Sequence, residues 1–345
     1  MTQLRARLIV ILSGLCAGLI FVVVLIRLYL QDGYNVLPIV LNDFIHGDTF
    51  STPHGRLALA KEVYLPQNGS DVFISVLTAP KFHDARLSRL FVSWMQTVEP
   101  KQLHVVTDGQ HDMWTKALMD AGSTVVFSNC PRHKKKTRSM MCCKGGTQFE
   151  QWYRAQEAGE VYKWYCHFDD DVYVNTGALF QLTQKYNPEE DHYLGNWKQM
   201  SARAYHNKDR ISLERASGLH RYSERKRDDY RYANGPAYCI SASLMVRLEK
   251  YLRGRNFEEN CVKADVDMDD ILPGLIIEGV LGVQITHIPE LSDNFYNPPV
   301  DDPAWYKRQV TVISWKIHLS SAKFHGLDRL LMYHCLLYPH ISWCR

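Results

Sequence analysis

Beyond residue 70, short apolar runs alternate with longer stretches in which apolar residues recur every three or four positions. Val72 to Leu77, Leu103 to Thr107, Val125 to Phe127 and Trp164 to Phe168 are brief, bounded, and rich in β-branched or aromatic residues, which predicts strands. Between them, Ala85 to Met95 sets Leu87, Leu90, Phe91 and Trp94 on one helical face. Met113 to Met119 and Phe149 to Ala158 predict two further helices. Strands separated by helices predict a largely parallel α/β sheet, which holds ligands beyond the carboxyl ends of its strands.

Before residue 70 the pattern changes. No charged residue interrupts Leu8 to Ile26, which is long enough to cross a bilayer, and no small-residue cleavage site follows it. Arg5 and Arg7 precede the segment, which favours a cytoplasmic N-terminus. The expected organisation is a cytoplasmic tail (1–7), a transmembrane signal anchor (8–30), a lumenal stem (31–70) and a folded body (71–345). The stem is punctuated by Gly33, Pro38, Gly47, Pro53, Gly55 and Pro66, and its Asn68-Gly69-Ser70 is a glycosylation sequon. A formal net charge of +3 supplies no field for nucleic acid. Eight of the nine cysteines lie beyond the anchor, an even number that suits disulfides in an oxidising compartment, although about 105 pairings exist.

The sharpest chemistry is Asp169-Asp170-Asp171, placed where the Trp164 strand ends. Adjacent carboxylates repel one another and call for a cation or hydrogen-bond donors. Hard oxygen ligands suit Mg²⁺ or Mn²⁺, which take few protein ligands and complete their shell with substrate phosphate. The competing reading is a solvated acidic turn, or a cap for the helix expected from Thr176.

Trp164-Tyr165-Cys166-His167-Phe168-Asp169-Asp170-Asp171 with Tyr173-Val174-Asn175 resembles the metal-site segment of the Fringe glycosyltransferases. His334-Cys335-Leu336-Leu337-Tyr338-Pro339 with Trp343-Cys344 is similar to that family's C-terminal end. Asp71-Val72-Phe73-Ile74, Thr107-Asp108, Cys143-Lys144, Asn234-Gly235 and Asp269-Asp270 continue the likeness in order over residues 71–345. Members are Golgi β-1,3-N-acetylglucosaminyltransferases that extend O-linked fucose on epidermal-growth-factor (EGF) repeats of Notch.

The resemblance implies an α/β protein of GT-A fold, a Rossmann-like, mostly parallel sheet flanked by helices and stapled by disulfides. It implies a single-pass type II Golgi membrane enzyme using Mn²⁺ and UDP-GlcNAc. Arg86 and Asp170 take the positions of donor contacts, Asp171 that of the Mn²⁺ ligand and Asp270 that of the general base. Cys130 with Cys143, Cys166 with Cys239, and Cys335 with Cys344 match family disulfides, leaving Cys142 and Cys261 unassigned. Asn294 stands where the family has a second, histidine, metal ligand. Other departures are Pro236 within a glycine-rich turn, Leu77 in place of a lysine, and Ile271 and Gly279 in place of a cysteine pair. Two alternatives follow: a β-1,3-galactosyltransferase acting on O-linked GalNAc, and a catalytically silent lumenal chaperone that binds folded repeats.

Residue chemistry supports these roles. Asp269 and Asp270 are expected to begin a helix that tolerates Pro273 in its first turn, where its dipole keeps a basic carboxylate ionised. Asp269 is expected to cap that helix. Arg86 offers a guanidinium fork to phosphate or uracil, against the plainer reading of a surface arginine. Thr78, closing the first strand, is placed to bond the nucleotide base. His83, His104, His287 and His318 are scattered without zinc spacing, and Trp197, Trp305 and Trp315, which could stack on sugar, are expected in the core. Gly145-Gly146 lacks the phosphate-loop pattern, and Arg132 to Arg138 reads as a solvated loop.

Overall fold

The computed structural model describes residues 69, 71–130, 137–199, 231–264, 266, 268–291, 298–299, 301–314, 317, 328–341 and 344. The tail, the anchor segment, all of the stem but Gly69, Arg132 to Lys136 and Asn294 lie outside the described residues.

The strands are β1 (Val72–Leu77), β2 (Leu103–Asp108), β3 (Thr124–Ser128), β4 (Trp164–Asp169), β5 (Val172–Val174), β6 (Tyr193–Gln199), β7 (Arg231–Ser241), β8 (Thr286–His287) and β9 (Thr311–Ile313). One sheet runs in the order β3-β2-β1-β4-β7-β6-β8, and β5 pairs with β9 in a second. β1, β2, β3 and β4 are mutually parallel, whereas β7 runs antiparallel to β4 and β6. The expected mixed α/β architecture with a mostly parallel sheet is what forms.

Strand residues alternate between two cores, because successive side chains leave opposite faces of a sheet. Val72, Ile74, Val76 and Phe168 pack on one face with Leu87, Leu90, Tyr306 and Tyr333. Phe73, Tyr165 and Tyr238 pack on the other with Phe149, Phe257 and Leu275. Burial on both faces explains why the β1 and β4 segments read as continuous apolar runs.

Helices α1 (Met113–Asp120), α2 (Thr137–Glu157) and α3 (Thr176–Thr183) follow β2, β3 and β5. After β7 come α4 (Ala242–Leu252), α5 (Arg255–Ala264), α6 (Ile271–Gly274), α7 (Pro303–Arg308) and α8 (Arg329–Leu337).

Two expectations need correction. The helix predicted over Ala85 to Met95 is broken into a wide π turn (His83–Leu87), one α turn (Ser88–Phe91) and a 3-10 turn (Trp94–Thr97). Ser88, Ser93 and Thr97 hydroxyls donate to the carbonyls of Asp84, Arg89 and Trp94, a local back-bonding that bends helices. Helix α2 begins at Thr137, well before Phe149. Gly145-Gly146 lies inside it: a Cβ at Gly145 would sit 2.8 Å from the Phe257 ring, and one at Gly146 2.5 Å from the Gly254 carbonyl oxygen. The glycines allow α2 and α5 to touch rather than ending a helix.

The same contact is stapled by Cys142–Cys261, the pair left unassigned from the sequence. Cys130–Cys143, Cys166–Cys239 and Cys335–Cys344 pair as the resemblance implied. Because Cys142–Cys261 spans 119 residues, it strongly restricts the unfolded chain. Replacing both cysteines by serine should cost about 2–5 kcal/mol, read as a lowered urea midpoint with an intact circular-dichroism spectrum.

Candidate active site

The carboxylate triplet begins on the last residue of β4. Asp169 is in register with Leu77 of β1, so Thr78 emerges beside Asp170. Thr78 Oγ1 donates to Asp170 Oδ2 at 2.7 Å, and Arg86 Nη1 donates to Asp170 Oδ1 at 2.6 Å. The same guanidinium nitrogen lies 3.5 Å from Asp171 Oδ2. Arg86 reaches this position from the π turn, with its guanidinium 3.9 Å from the Phe82 ring centroid. Thr78, Arg86, Asp170 and Asp171, singled out separately along the chain, therefore form one cluster. Asn175, whose side chain accepts from Ala178 N, caps α3, so the triplet is not needed for that task.

The electrostatics of the triplet favour a cation. Burial raises the pKa of Asp170, against the pull of the Arg86 and Thr78 hydrogen bonds. Asp171 is pushed up to about 6 by burial, then by the neighbouring charge of Asp169, with Arg86 opposing. A carboxylate strained in this way binds a dication with relief of both penalties. Among the described residues no group of three or more His, Cys, Asp or Glu side chains is arranged to hold a metal. One carboxylate with neighbours on the donor fits the sparse protein ligation of Mg²⁺ or Mn²⁺. The backbone under Asp171 is fixed, since Ser314 N donates to its carbonyl at 2.7 Å just beyond the β5–β9 ladder.

Asp269 and Asp270 approach from the other face of the sheet. Strand β7 pairs with β4 only as far as Ala237 opposite Phe168, so its earlier residues extend past the triplet end. Helix α6 lies on that extension: a Cβ at Gly274 would come within 2.4 Å of Tyr232 Cβ, so glycine is what lets the helix approach. Asp270 occupies the N-cap position of α6 without capping through its side chain. The expected cap role of Asp269 is corrected: it precedes the N-cap, is buried, and its Oδ2 has no hydrogen-bond partner.

His167, buried and stacked 4.9 Å from the Tyr238 ring, connects the two acidic groups. Its Nε2 is 3.5 Å from Asp169 Oδ1. Burial opposes its protonation, but the Asp169 hydrogen bond and the charges of Asp169, Asp269 and Asp270 outweigh burial and raise its pKa. Asp269 in turn is raised to about 6, first by burial, with His167 opposing and Asp169 reinforcing. A carboxyl raised on folding stabilises the native state most below its unfolded pKa and loses that contribution as pH rises through about 6. Asp269→Asn should therefore raise stability by about 3 kcal/mol at pH 7.5 but by only about 1 kcal/mol at pH 4.5, measured by urea unfolding at both pH values.

A further polar cluster escaped sequence reasoning. Lys144 on α2, buried, pairs with Asp108 at 2.7 Å and donates to the Thr78 carbonyl at 3.0 Å. Ser128 donates to the second Asp108 oxygen at 2.8 Å. His83 bonds Thr107 Oγ1 at 2.8 Å and Asp112. These contacts lock the carboxyl ends of β1, β2 and β3 behind the triplet. The available signals were Thr107-Asp108 and Cys143-Lys144, whose tertiary partnership no spacing reveals.

Of the remaining candidates, His104 is buried against Phe73 with its pKa lowered to about 4 by burial, and His287 is exposed. Trp197 carries Arg231 over its ring at 4.3 Å, while Trp305 is half-buried. His318 and Trp315 lie outside the described residues.

Arg86→Ala should raise the KM for a nucleotide-sugar donor about 10- to 100-fold, seen in initial rates at varied donor. A charge-assisted hydrogen bond contributes about 1.5–3 kcal/mol, and its loss frees Asp170 to rotate.

A Fringe-like family model matches residues 67–340. The β-1,3-N-acetylglucosaminyltransferase lunatic fringe of Danio rerio is 28% identical over 291 residues, covering 80% of this chain and 71% of that protein. The lunatic fringe of Bos taurus is 30% identical over 284 residues, covering 79% and 68% respectively. Among solved structures, the mannosyltransferase PcManGT from Pyrobaculum calidifontis, in complex with GDP-Man and Mn²⁺, covers 90% of this chain and 83% of its own. Its identity is 14% and its TM-score 0.35, a likeness on which nothing here rests. The family match spans the described sheet and both acidic clusters, and the chain belongs to the Fringe-like family.

Proposed function

We propose that this chain is an inverting glycosyltransferase of GT-A type. It transfers N-acetylglucosamine from UDP-GlcNAc in β-1,3 linkage to O-linked fucose on EGF-like repeats, and so modulates Notch signalling. The observation that carries the reading is the Thr78–Arg86–Asp170 cluster beside Asp171, with Asp270 across the same strand end. The activity in the names of its fringe relatives supports the choice of sugar and linkage.

In this mechanism Arg86 and Thr78 fix the Asp170 carboxylate, which accepts hydrogen bonds from donor hydroxyls. Asp171 and Asn294 would hold Mn²⁺, which would supply charge neutralisation for the diphosphate leaving group. Asp270 takes the proton of the attacking fucose hydroxyl as that oxygen bonds to the anomeric carbon and UDP departs. Attack opposite the leaving group turns an α-linked donor into a β product. The protein acts as a type II Golgi membrane enzyme with its body in the lumen, anchored by residues 8–30.

A donor-by-acceptor panel tests the assignment. UDP-GlcNAc with an O-fucosylated EGF repeat should give product. Product only from UDP-Gal with an O-GalNAc peptide would replace the proposed specificity. Mn²⁺-dependent UDP binding without any transfer, across the whole panel, would reject the enzymatic reading.

A further inference from the structure

A pocket of about 430 Å³ opens two strands away from the triplet, lined by Asn196 of β6, His287 of β8, Glu290 just after it, and Trp305, Arg308 and Gln309 on and just after α7. Its volume suits a small ligand. Strand spacing places β6 about 10 Å from β4, on the side opposite β1, which leads into Thr78. Because β4 and β6 both run antiparallel to β7, and Gly195 and His167 both pair with Tyr238, Asn196, midway along β6, lies level with the triplet end of β4. The pocket is also tied to the triplet covalently and by hydrogen bonds. Strand β5 follows Asp171 directly, and Asn175 then donates from its backbone to the Val310 carbonyl and from its side chain to the Lys307 carbonyl, at 2.8 and 3.2 Å.

The lining indicates what fits. Trp305 presents a half-buried indole backed by the first core, and Gln309 is held by its own bond to the Trp305 carbonyl at 3.1 Å. Arg308 and Glu290 are exposed and form no ion pair with each other. Their formal charges cancel, so the pocket has no net attraction for phosphate. Together they present a donor fork and an acceptor pair, beside the Asn196 and Gln309 amides. An aromatic face with a rim of neutral-sum donors and acceptors matches a ring that is apolar on one face and hydroxylated at its edge.

We propose that this pocket is a binding subsite for a neutral pyranose, with Trp305 under the ring and Arg308, Glu290 and Asn196 on its hydroxyls. The choice of sugars rests on the glycosyltransferase reading, which offers two sources: the N-acetylglucosamine of the donor and the fucose of the acceptor.

Saturation-transfer NMR on the full-length protein, with methyl β-N-acetylglucosaminide and methyl α-fucoside as probes, tests it. Saturation of one probe should fall at least fivefold in Arg308→Ala and in Glu290→Gln, and the probe affected identifies the source. In kinetics, the donor KM rises at least fivefold if the pocket takes N-acetylglucosamine, and the acceptor KM if it takes fucose. Trp305→Ala should act likewise, but its indole packs on the core, so the two exposed side chains decide. Saturation of neither probe, or saturation unchanged in both exposed-residue variants, overturns the proposal. Failure of the transferase reading looks different: no turnover in the parent protein, with probe saturation still sensitive to Arg308→Ala and Glu290→Gln.

Discussion

Asp171→Ala should lower kcat/KM for glycosyl transfer about 10²- to 10³-fold and abolish the Mn²⁺ dependence of UDP binding. The size follows from the place of the residue. At Asp171 negative charge is costly to keep: burial and Asp169 raise its pKa to about 6. A cation there meets a carboxylate with little competing solvation, and electrostatic stabilisation of a leaving group in such a site contributes about 3–4 kcal/mol. The fold should survive, because the Asp171 backbone is held through Ser314 and the β5–β9 ladder rather than through its carboxylate. Calorimetric titration of UDP with and without Mn²⁺, alongside initial rates, measures both effects. Wild-type affinity for UDP in the presence of Mn²⁺ would remove Asp171 as the ligand.

Asp270→Asn should act differently. Transfer should fall about 10²- to 10⁴-fold in kcat, the usual span for a general base, while UDP and Mn²⁺ bind as in the parent. Asp270 adjoins Ile271 and Leu272, which pack on the sheet face opposite the Leu87 and Leu90 that flank Arg86, so donor binding is separable from proton abstraction. Its neighbour is the control. Asp269 is equally buried and has its pKa raised to about 6, so it competes for the role on burial alone. Asp269→Asn should cost less than tenfold. A larger loss in Asp269→Asn than in Asp270→Asn would transfer the base to Asp269.

Much of this arrangement is written locally in the chain. β1, β2 and β4 are legible because strands buried on both faces appear as short β-branched or aromatic runs. The triplet is legible because carboxylates follow such a run directly, and Asn175 is a plain cap for α3. What escaped depends on contacts between distant segments. The hydroxyl bonds that break the helix after His83 use serines and threonines that a polar helix face would also carry. Gly145 and Gly146 lie ahead of the helix expected from Phe149, yet inside α2 they admit Phe257 and the Gly254 carbonyl. Cys142 and Cys261 could be paired only once α2 and α5 were seen to touch. Asp269 lies one residue before the N-cap position that Asp270 fills, and neither side chain caps the helix: both are buried, with Asp269 under the charge of His167.

The most direct test is a single incubation of the full-length protein with UDP-GlcNAc and an O-fucosylated EGF repeat, with Mn²⁺ or with chelator, analysed by mass spectrometry and linkage NMR. The account predicts one added N-acetylhexosamine, β-1,3-linked to fucose, with Mn²⁺ and none with chelator. Equal transfer in chelator, or an α-linked product, would contradict it.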